Sequence, residues 1–270
     1  MTSGNSQQIT VNDLMNDAEQ NRLFNDLKTM DVIKASGLQN IQIGLGVGSN
    51  TFPVNESILV GMVIDNSGSI KTDIKNGPAL VCEGQNLMIN AMKKSKQKDG
   101  ILIGTWLINE TAPVHPFVTI DDAVYLEPGK NYQAGGITPL YRQCCNVLSV
   151  MALKSKVDFA QAGCRCRSIF LVVTDGYNID NDDSFNAGMV ETLIKEMGET
   201  LIPYFMGISN GSIKFKTIAE SMGFYSENIV TPGISESELR KAFQMVSQSA
   251  AYASQSLANF SKSALGGFIV

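Results

Sequence analysis

The chain has 270 residues, of which 44% are hydrophobic, and this content supports one large buried core and excludes disorder of the chain as a whole. Its 21 basic and 26 acidic residues give a net charge of −5, whereas nucleic-acid-binding modules usually carry a basic excess. We therefore expect no nucleic-acid partner. No apolar run reaches the roughly 20 residues that a membrane-spanning helix needs, so no membrane span is expected.

Cysteine usage and the first residues favour a cytoplasmic protein. The five cysteines form an odd set without a CxxC pair, which is typical of reduced thiols. They are Cys82, Cys144, Cys145, Cys164 and Cys166. The first twenty residues, MTSGNSQQITVNDLMNDAEQ, have neither the basic start nor the apolar stretch of a signal peptide.

The single histidine restricts the chemistry. With His115 alone, a His-rich zinc site is excluded, and any Ser-His-Asp triad would have to use this residue. It lies between Pro113 and Pro116 on a segment that resembles an edge strand or turn. We expect a surface or turn histidine without a catalytic role.

The N-terminal part, residues 1–54, is predicted to be a helical and extended appendage. Residues 1–11 are polar, and apolar residues recur at helical spacing through 12–35. Ile41–Ile43 suggests a short strand. The glycine-rich stretch 44–49 lacks the GxGxxG spacing of a dinucleotide loop and predicts a turn or bulge.

From residue 58 onward, apolar strand patterns alternate with helical ones. Strands are predicted at 58–64, 101–108, 113–120, 169–173, 201–208 and 224–230, and helices at 77–94, 139–157, 184–198, 213–222 and 235–253. This alternation predicts an α/β fold, with a mostly parallel sheet covered by helices on both faces and an antiparallel edge strand at 113–120. We assign 55–253 to this domain and 254–270 to a Ser/Ala-rich tail.

Polar side chains gather where the predicted strands end. The first buried strand runs into Asp65-Asn66-Ser67-Gly68-Ser69, and the strand 169–173 runs into Thr174-Asp175-Gly176. A third loop, Gly135-Gly136-Ile137-Thr138-Pro139-Leu140, precedes a helix. Since ligands of open α/β sheets bind beyond the carboxyl ends of the strands, these three loops should meet there. Two carboxylates and three hydroxyls suit a hard cation such as Mg²⁺, which prefers oxygen ligands and keeps several waters.

These positions resemble the metal-ion-dependent adhesion site (MIDAS), DxSxS…T…D, of von Willebrand factor A (vWA) domains. The resemblance covers roughly residues 55–250 and implies the Rossmann-like vWA fold. It also implies Mg²⁺, with Mn²⁺ or Ca²⁺ as alternatives, at a site that a partner protein completes with a Glu or Asp. The metal-binding positions would be Asp65, Ser67, Ser69, Thr138 and Asp175. The loops 70–76, 131–141 and 176–183 would then set partner specificity.

Within that family, two segments are similar to the intracellular TerY-type proteins of the tellurium-resistance group. They are Phe243–Ser249, followed by a Ser/Ala-rich helix, and Gly135–Tyr141. This resemblance implies a role in bacterial stress response, with a kinase or phosphatase as partner. The leading hypothesis is thus a non-enzymatic, metal-dependent protein-binding module.

Several alternatives stay open at this stage. Thr138 could be a plain helix N-cap, and Asp182 or Asp183 could cap a helix that starts near Ser184. A hydrolase could use Asp65 or Ser67 as its nucleophile, although the sequence has no phosphate-binding loop and contains a single histidine. An extracellular adhesin would share the metal site, but the absence of a signal peptide and the unpaired cysteines disfavour it.

Overall fold

The computed structural model describes residues 9–52, 54–209 and 213–254, which form a six-stranded sheet flanked by helices. The strands are β1 (Glu56–Ile64), β2 (Ile101–Leu107), β3 (His115–Thr119), β4 (Arg165–Thr174), β5 (Leu201–Gly207) and β6 (Ile229–Val230). The α-helices are α1 (Val11–Asn21), α2 (Leu27–Ala35), α3 (Leu38–Leu45), α4 (Gly68–Thr72), α5 (Gly77–Lys93), α6 (Leu140–Leu153), α7 (Phe159–Gln161), α8 (Ala187–Met197), α9 (Phe215–Ser221) and α10 (Glu236–Ala253). A π-helical turn, Lys154–Asp158, joins α6 to α7.

The strand order is β3-β2-β1-β4-β5-β6, and every neighbouring pair is parallel except β2 with β3. The predicted α/β fold with an antiparallel edge strand is confirmed. All predicted strands and helices after residue 58 are present, with their ends moved by a few residues. The predicted strand 224–230 shrinks to two residues because Ser226–Asn228 form a 3₁₀ turn.

The central strands end level with one another. The register pairs Ile64 with Leu107 and Val173, and Thr174 with Gly207. The ladder continues one step further, since Asp65 N donates to Val173 O at 2.9 Å. The loops that follow β1, β2, β4 and β5 therefore leave from one edge of the sheet.

Two hydrophobic cores lie on opposite faces of the sheet. Alternate residues of β1 enter them, with Leu59 and Val63 facing one core and Val60 and Met62 facing the other. The first core includes α1, α2, α3, α6, α8 and α9, and the second includes α5 and α10. Because both faces are covered, β1 is apolar at almost every position and not merely at alternate ones.

The C-terminal helix α10 packs on α5, as its apolar spacing predicts. Leu239, Phe243 and Val246 are buried there. Phe243 lies against Gly84 of α5, where an added Cβ atom would come within 2.3 Å of the ring. The predicted tail, 254–270, lies outside the described residues apart from Ser254, as do residues 1–8 of the predicted polar start.

The N-terminal helices differ from the prediction. The helix expected over 12–35 is broken at Arg22, whose φ of 49° ends α1, and Asp26 caps the new helix α2. The predicted strand Ile41–Ile43 is wrong, because these residues form the middle of α3. Ile41 and Leu45, four residues apart, are buried on one helix face, and this helical spacing outweighs the short strand-like alternation.

Two further expectations are corrected. His115 is not at the surface: it is buried on β3, and its Nδ1 lies 3.0 Å from Pro116 O. Asp182 and Asp183 do not cap a helix at Ser184, since α8 begins at Ala187 and its cap is Asn186. All five cysteines are unpaired, and four of them are buried. In the described part of the chain, no helix has the length and apolarity needed to cross a membrane.

Candidate functional site

The structure brings the predicted site residues together at the carboxyl edge of the sheet. Ser67 and Ser69 follow β1, and Asp175 follows β4, its neighbour in the sheet. Ser67 Oγ lies 3.0 Å from Ser69 Oγ and 3.4 Å from Asp175 Oδ1. Ser69 Oγ lies 2.8 Å from Asp175 Oδ1. Three oxygen atoms from two loops thus converge on one small volume.

Asp65 is fixed beside this cluster and is completely buried. Its Oδ1 accepts a hydrogen bond from Ser67 N at 2.7 Å, and its Oδ2 accepts one from Thr174 Oγ1 at 2.5 Å. The first bond bends the Asp65–Ser67 segment into a turn, because a short acidic side chain readily bonds the backbone two residues further on. That turn presents the Ser67 hydroxyl toward Asp175.

The two carboxylates form a region of uncompensated negative charge. Burial, the nearby charge of Asp65 and, to a smaller extent, that of Asp73 raise the pKa of Asp175 to about 6, against the hydrogen bonds from Ser69 and Ser67. Burial also raises the pKa of Asp65, although the bonds from Thr174 and Ser67 oppose the shift. Within the described ranges, no lysine or arginine forms a salt bridge with either group. A cation would therefore be favoured here on electrostatic grounds.

Thr138 lies next to the Asp175 loop. It is buried, and a Cβ atom added to Gly176 would be 3.2 Å from Thr138 Oγ1. Its carbonyl oxygen accepts a hydrogen bond from Ile179 N at 2.8 Å. The N-cap residue of α6 is Pro139, and the side chain that accepts from the first turn of this helix is Asn178, whose Oδ1 bonds Tyr141 N at 3.0 Å. The N-cap interpretation of Thr138 is therefore wrong, and its hydroxyl is positioned beside Gly176.

The sequence analysis missed four residues that hold the loops. Thr174 Oγ1 binds Asp65 and also accepts from Gly176 N at 3.1 Å, which ties the β1 and β4 loops together. Tyr132 Oη donates to Asp65 O at 2.5 Å. Asn66 Nδ2 donates to Gln133 O, and Asn109 Nδ2 donates to Asn66 O and to Gly135 O. Asn109 follows β2, and its position at the end of a central strand is the sequence feature that could have identified it.

The geometry disfavours Asp65 as a hydrolase nucleophile and His115 as the base for Ser67. Both oxygens of Asp65 accept hydrogen bonds inside the protein, so neither is free to attack a substrate. A nucleophilic Ser67 needs a base within hydrogen-bond reach, and the group in that position is the Asp175 carboxylate, 3.4 Å away, and not a histidine. His115 lies on the edge strand β3, and β2 separates that strand from β1, which leads to Ser67.

The acidic residues 180–183 stabilise the loop after Asp175. Asp180 Oδ1 pairs with Arg142 Nη2 at 3.0 Å and also accepts from Asp182 N at 3.1 Å. Asp182 Oδ1 accepts from Ser184 N at 3.0 Å. The part of the chain that the structure describes contains no group of three or more His, Cys, Asp or Glu side chains suited to a metal. An ion at Asp175 would therefore depend on hydroxyl oxygens and water as well as on carboxylates.

No model of a known protein family and no curated protein matches this sequence. Solved structures with a similar fold include the pilus adhesin SpaC from Lactobacillus rhamnosus GG in its open conformation. Its TM-score is 0.50 at 10% identity, with 74% of this chain and 30% of that chain covered.

Proximal thread matrix protein 1 from the mussel byssus is also similar, with a TM-score of 0.49 at 19% identity over 72% of this chain and 47% of that chain. Another structure of that protein has a zinc-occupied MIDAS motif. The von Willebrand factor type A protein from Catenulispora acidiphila has a TM-score of 0.48 at 12% identity, with 74% and 43% covered. The chain thus spans about half the length of these structures or less, and the similarity concerns the fold.

Proposed function

We propose that this chain is a vWA-type domain that binds a protein partner through a divalent metal ion at its carboxyl sheet edge. The observation that supports this most directly is the convergence of Ser67 Oγ, Ser69 Oγ and Asp175 Oδ1, separated by 2.8–3.4 Å. Adjacent ligands of an octahedral Mg²⁺ ion with bonds of about 2.1 Å are about 3 Å apart. The spacing of the three oxygen atoms therefore fits Mg²⁺.

The chemistry of the donors fits a hard cation as well. Ser67, Ser69 and Asp175 would hold the ion, with Thr138 as a further hydroxyl donor. Asp65 would act through its charge and by orienting Ser67, because its own oxygens bond to Ser67 N and Thr174 Oγ1. Mn²⁺ and Ca²⁺ also bind oxygen ligands and are alternatives.

The small number of carboxylates that this chain would provide to the ion favours partner binding. An ion held mainly by neutral hydroxyls keeps most of its positive charge and an open coordination position, which an acidic side chain of another protein can fill. Coordination of this carboxylate would link the two proteins through one ion. On this proposal the chain is a binding module and not an enzyme, consistent with the engaged oxygens of Asp65.

The finer proposal concerns the biological setting. The resemblance of 135–141 and 243–249 to TerY-type proteins, together with five free thiols, favours a cytoplasmic bacterial protein of a stress-response system. A kinase or phosphatase would then be the partner. An extracellular adhesin is the competing setting, and the identity of the captured partner separates the two.

The test is affinity capture of proteins from a lysate on the immobilised chain, in Mg²⁺ and in EDTA. Asp175→Asn keeps the shape of the side chain but removes its charge, and Thr138→Ala removes one hydroxyl. We expect both variants to lose partners that the wild type retains only in Mg²⁺. Because Lys94 lies at the far end of α5, Lys94→Glu should retain them.

Two results would contradict the proposal. One is a partner held equally well in EDTA and by Asp175→Asn, which would locate the interaction surface elsewhere. The other is capture that Lys94→Glu abolishes while Asp175→Asn preserves it. Captured kinases or phosphatases would support the finer proposal, whereas surface or matrix proteins would favour the adhesin.

A further inference from the structure

Three large apolar side chains are exposed around Asp175. Tyr177 is 56% exposed, Ile179 is 48% exposed and Ile234 is 39% exposed. Tyr177 and Ile179 follow Asp175 in the loop between β4 and α8. Ile234 precedes α10 and lines, together with Asp175, a cavity of about 50 Å³. We call Tyr177, Ile179 and Ile234 the apolar rim.

The loop that carries Tyr177 and Ile179 is held firmly in place. Its backbone and its polar side chains bond to α6 and to the residue two positions before that helix. The contacts are Asn178 Oδ1 with Tyr141 N (3.0 Å), Ile179 N with Thr138 O (2.8 Å) and Asp180 Oδ1 with Arg142 Nη2 (3.0 Å). Asn178 and Asp180 thus anchor the loop inward while Tyr177 and Ile179 stay exposed. A surface fixed in this way loses little conformational entropy when a partner binds.

The exposure of apolar side chains beside a charged site favours an interaction surface. Single exposed apolar residues are common, but a group of them beside polar residues is typical of an interaction surface. Tyrosine also has an apolar ring and is enriched among residues that dominate binding energy. In this loop the anchoring contacts use Asn178, Asp180 and the backbone of Ile179, so none of them requires an apolar side chain at 177 or 179.

We infer that the apolar rim binds a large apolar side chain of the partner, located two positions from the acidic residue that reaches the metal. This inference rests on the proposed function. Tyr177 is two residues from Asp175, so their Cα atoms are at most about 7 Å apart. In an extended segment, side chains two positions apart point to the same face and are also separated by about 7 Å. The partner segment therefore has the pattern acid–any residue–apolar, in either chain direction.

The test uses a library of nine-residue peptides with a fixed central Glu and random residues elsewhere, selected on the full chain in Mg²⁺ and in EDTA. We expect the peptides retained only in Mg²⁺ to carry Leu, Ile, Met, Phe or Tyr two positions from Glu at least about threefold more often than the starting library. The double variant Tyr177→Ser, Ile179→Ser should bind the best peptide at least about tenfold more weakly, which corresponds to about 1.4 kcal/mol. Its remaining binding should still require Mg²⁺.

Matched controls come from the opposite edge of the sheet. Tyr225 is 42% exposed and precedes β6, and Leu27 is 87% exposed at the start of α2. The double variant Tyr225→Ser, Leu27→Ser should bind the peptide like the wild type. Tyr177→Phe, which keeps the ring, should also bind like the wild type. Each variant should fold like the wild type because the loop anchors are unchanged, and melting curves check this.

The outcomes separate this inference from the proposed function. The inference about the apolar rim is overturned alone by either of two results. In one, the Mg²⁺-dependent peptides need Glu but show no apolar preference. In the other, they bind the double variant Tyr177→Ser, Ile179→Ser as tightly as the wild type. Peptides that bind equally in EDTA, or after their Glu is changed to Gln, overturn the metal-dependent function and the inference with it. A library that yields no retained peptide at all overturns both.

Discussion

Replacing Glu196 with alanine should weaken the attachment of the N-terminal helices to the sheet domain. The Glu196 side chain is 1% exposed and projects from α8 toward the start of α2. It accepts hydrogen bonds from Asn25 N at 3.0 Å, Asp26 N at 3.0 Å and Thr29 Oγ1 at 3.3 Å. It also pairs with Lys156 of the π-helical turn. One carboxylate therefore joins three segments that are far apart in the sequence.

The size of the effect follows from these contacts. Removing one member of a buried ion pair typically costs about 3–5 kcal/mol, because the remaining charge and donors lose their partner. Asn25 and Asp26 are exposed, so water can reach their freed N–H groups, and we expect the lower end, about 3 kcal/mol. This is a large fraction of the about 5–15 kcal/mol that stabilises an ordinary domain.

Urea unfolding gives the free energy, and hydrogen exchange locates the change. If the helices of 11–45 are part of one cooperative unit, Glu196→Ala should lower the free energy of unfolding of the whole chain. If they are a separable appendage, as the predicted boundary at residue 54 implies, exchange should rise in α1–α3 while β1 and β4 stay protected.

The matched control for this substitution lies on the same helix. Glu191 pairs with Lys195 at 2.7 Å, but its side chain is 38% exposed, so Glu191→Ala should change stability by less than about 0.5 kcal/mol. Equal stability and equal exchange in wild type and Glu196→Ala would refute the claim that this carboxylate holds the N-terminal helices.

Two further predictions concern pH and metal. Burial lowers the pKa of His115 below its ordinary 6.5, so on acidification the unfolded chain takes up a proton before the folded one does. The His115 contribution to stability should fall below pH 6.5, by at most about 1.4 kcal/mol per pH unit. The raised pKa of Asp175 gives the opposite slope, so the difference between wild type and His115→Gln in urea titrations at several pH values measures the histidine effect. Millimolar Mg²⁺ at about a hundredfold excess over Kd should raise the free energy of unfolding by about 2.7 kcal/mol, and Asp175→Asn should abolish this gain without melting lower than wild type in EDTA. A gain that persists in Asp175→Asn would show that the ion binds elsewhere.

The sheet could be predicted because its signals are local and repeated. The strand β1 is a short, almost continuous apolar run of 9 residues, whereas the helix α5 has one apolar face over 17 residues, so length and period together distinguish strands from helices. The edge-strand prediction at 113–120 also held, although the burial of His115 did not follow from its flanking prolines. Its burial depends on how β3 is covered, which no local pattern records.

The N-terminal segment could not be predicted in the same way. The break at Arg22 requires a left-handed backbone at a residue that rarely adopts it, and the sequence there has no glycine to indicate it. The helix α3 was mistaken for a strand because Ile41 and Ile43 alternate over a short stretch. Gly44 approaches Trp106 and Val150 closely, and this tertiary contact gives that glycine its role.

The sequence predicts which positions form the candidate site, but not how their side chains are arranged. Strand ends in a parallel sheet share an edge, and this rule alone brought Asp65, Ser67 and Asp175 together. The contacts through Thr174 and Tyr132 depend on side-chain orientation across different loops. For this reason, the fixed, fully bonded state of Asp65 appeared only in the structure.

The electrostatics of the site indicate why such an arrangement would persist in a folded protein. Two buried carboxylates without a basic partner oppose folding, since burial penalises each charge and the charges repel one another. Replacing Asp175 with asparagine should remove most of that penalty at little steric change. A residue that weakens the fold in this way is expected where function requires it. On the proposed function, the same charge that destabilises the chain alone would give a cation a large gain on binding, and the positive charge that the ion keeps would attract an acidic partner.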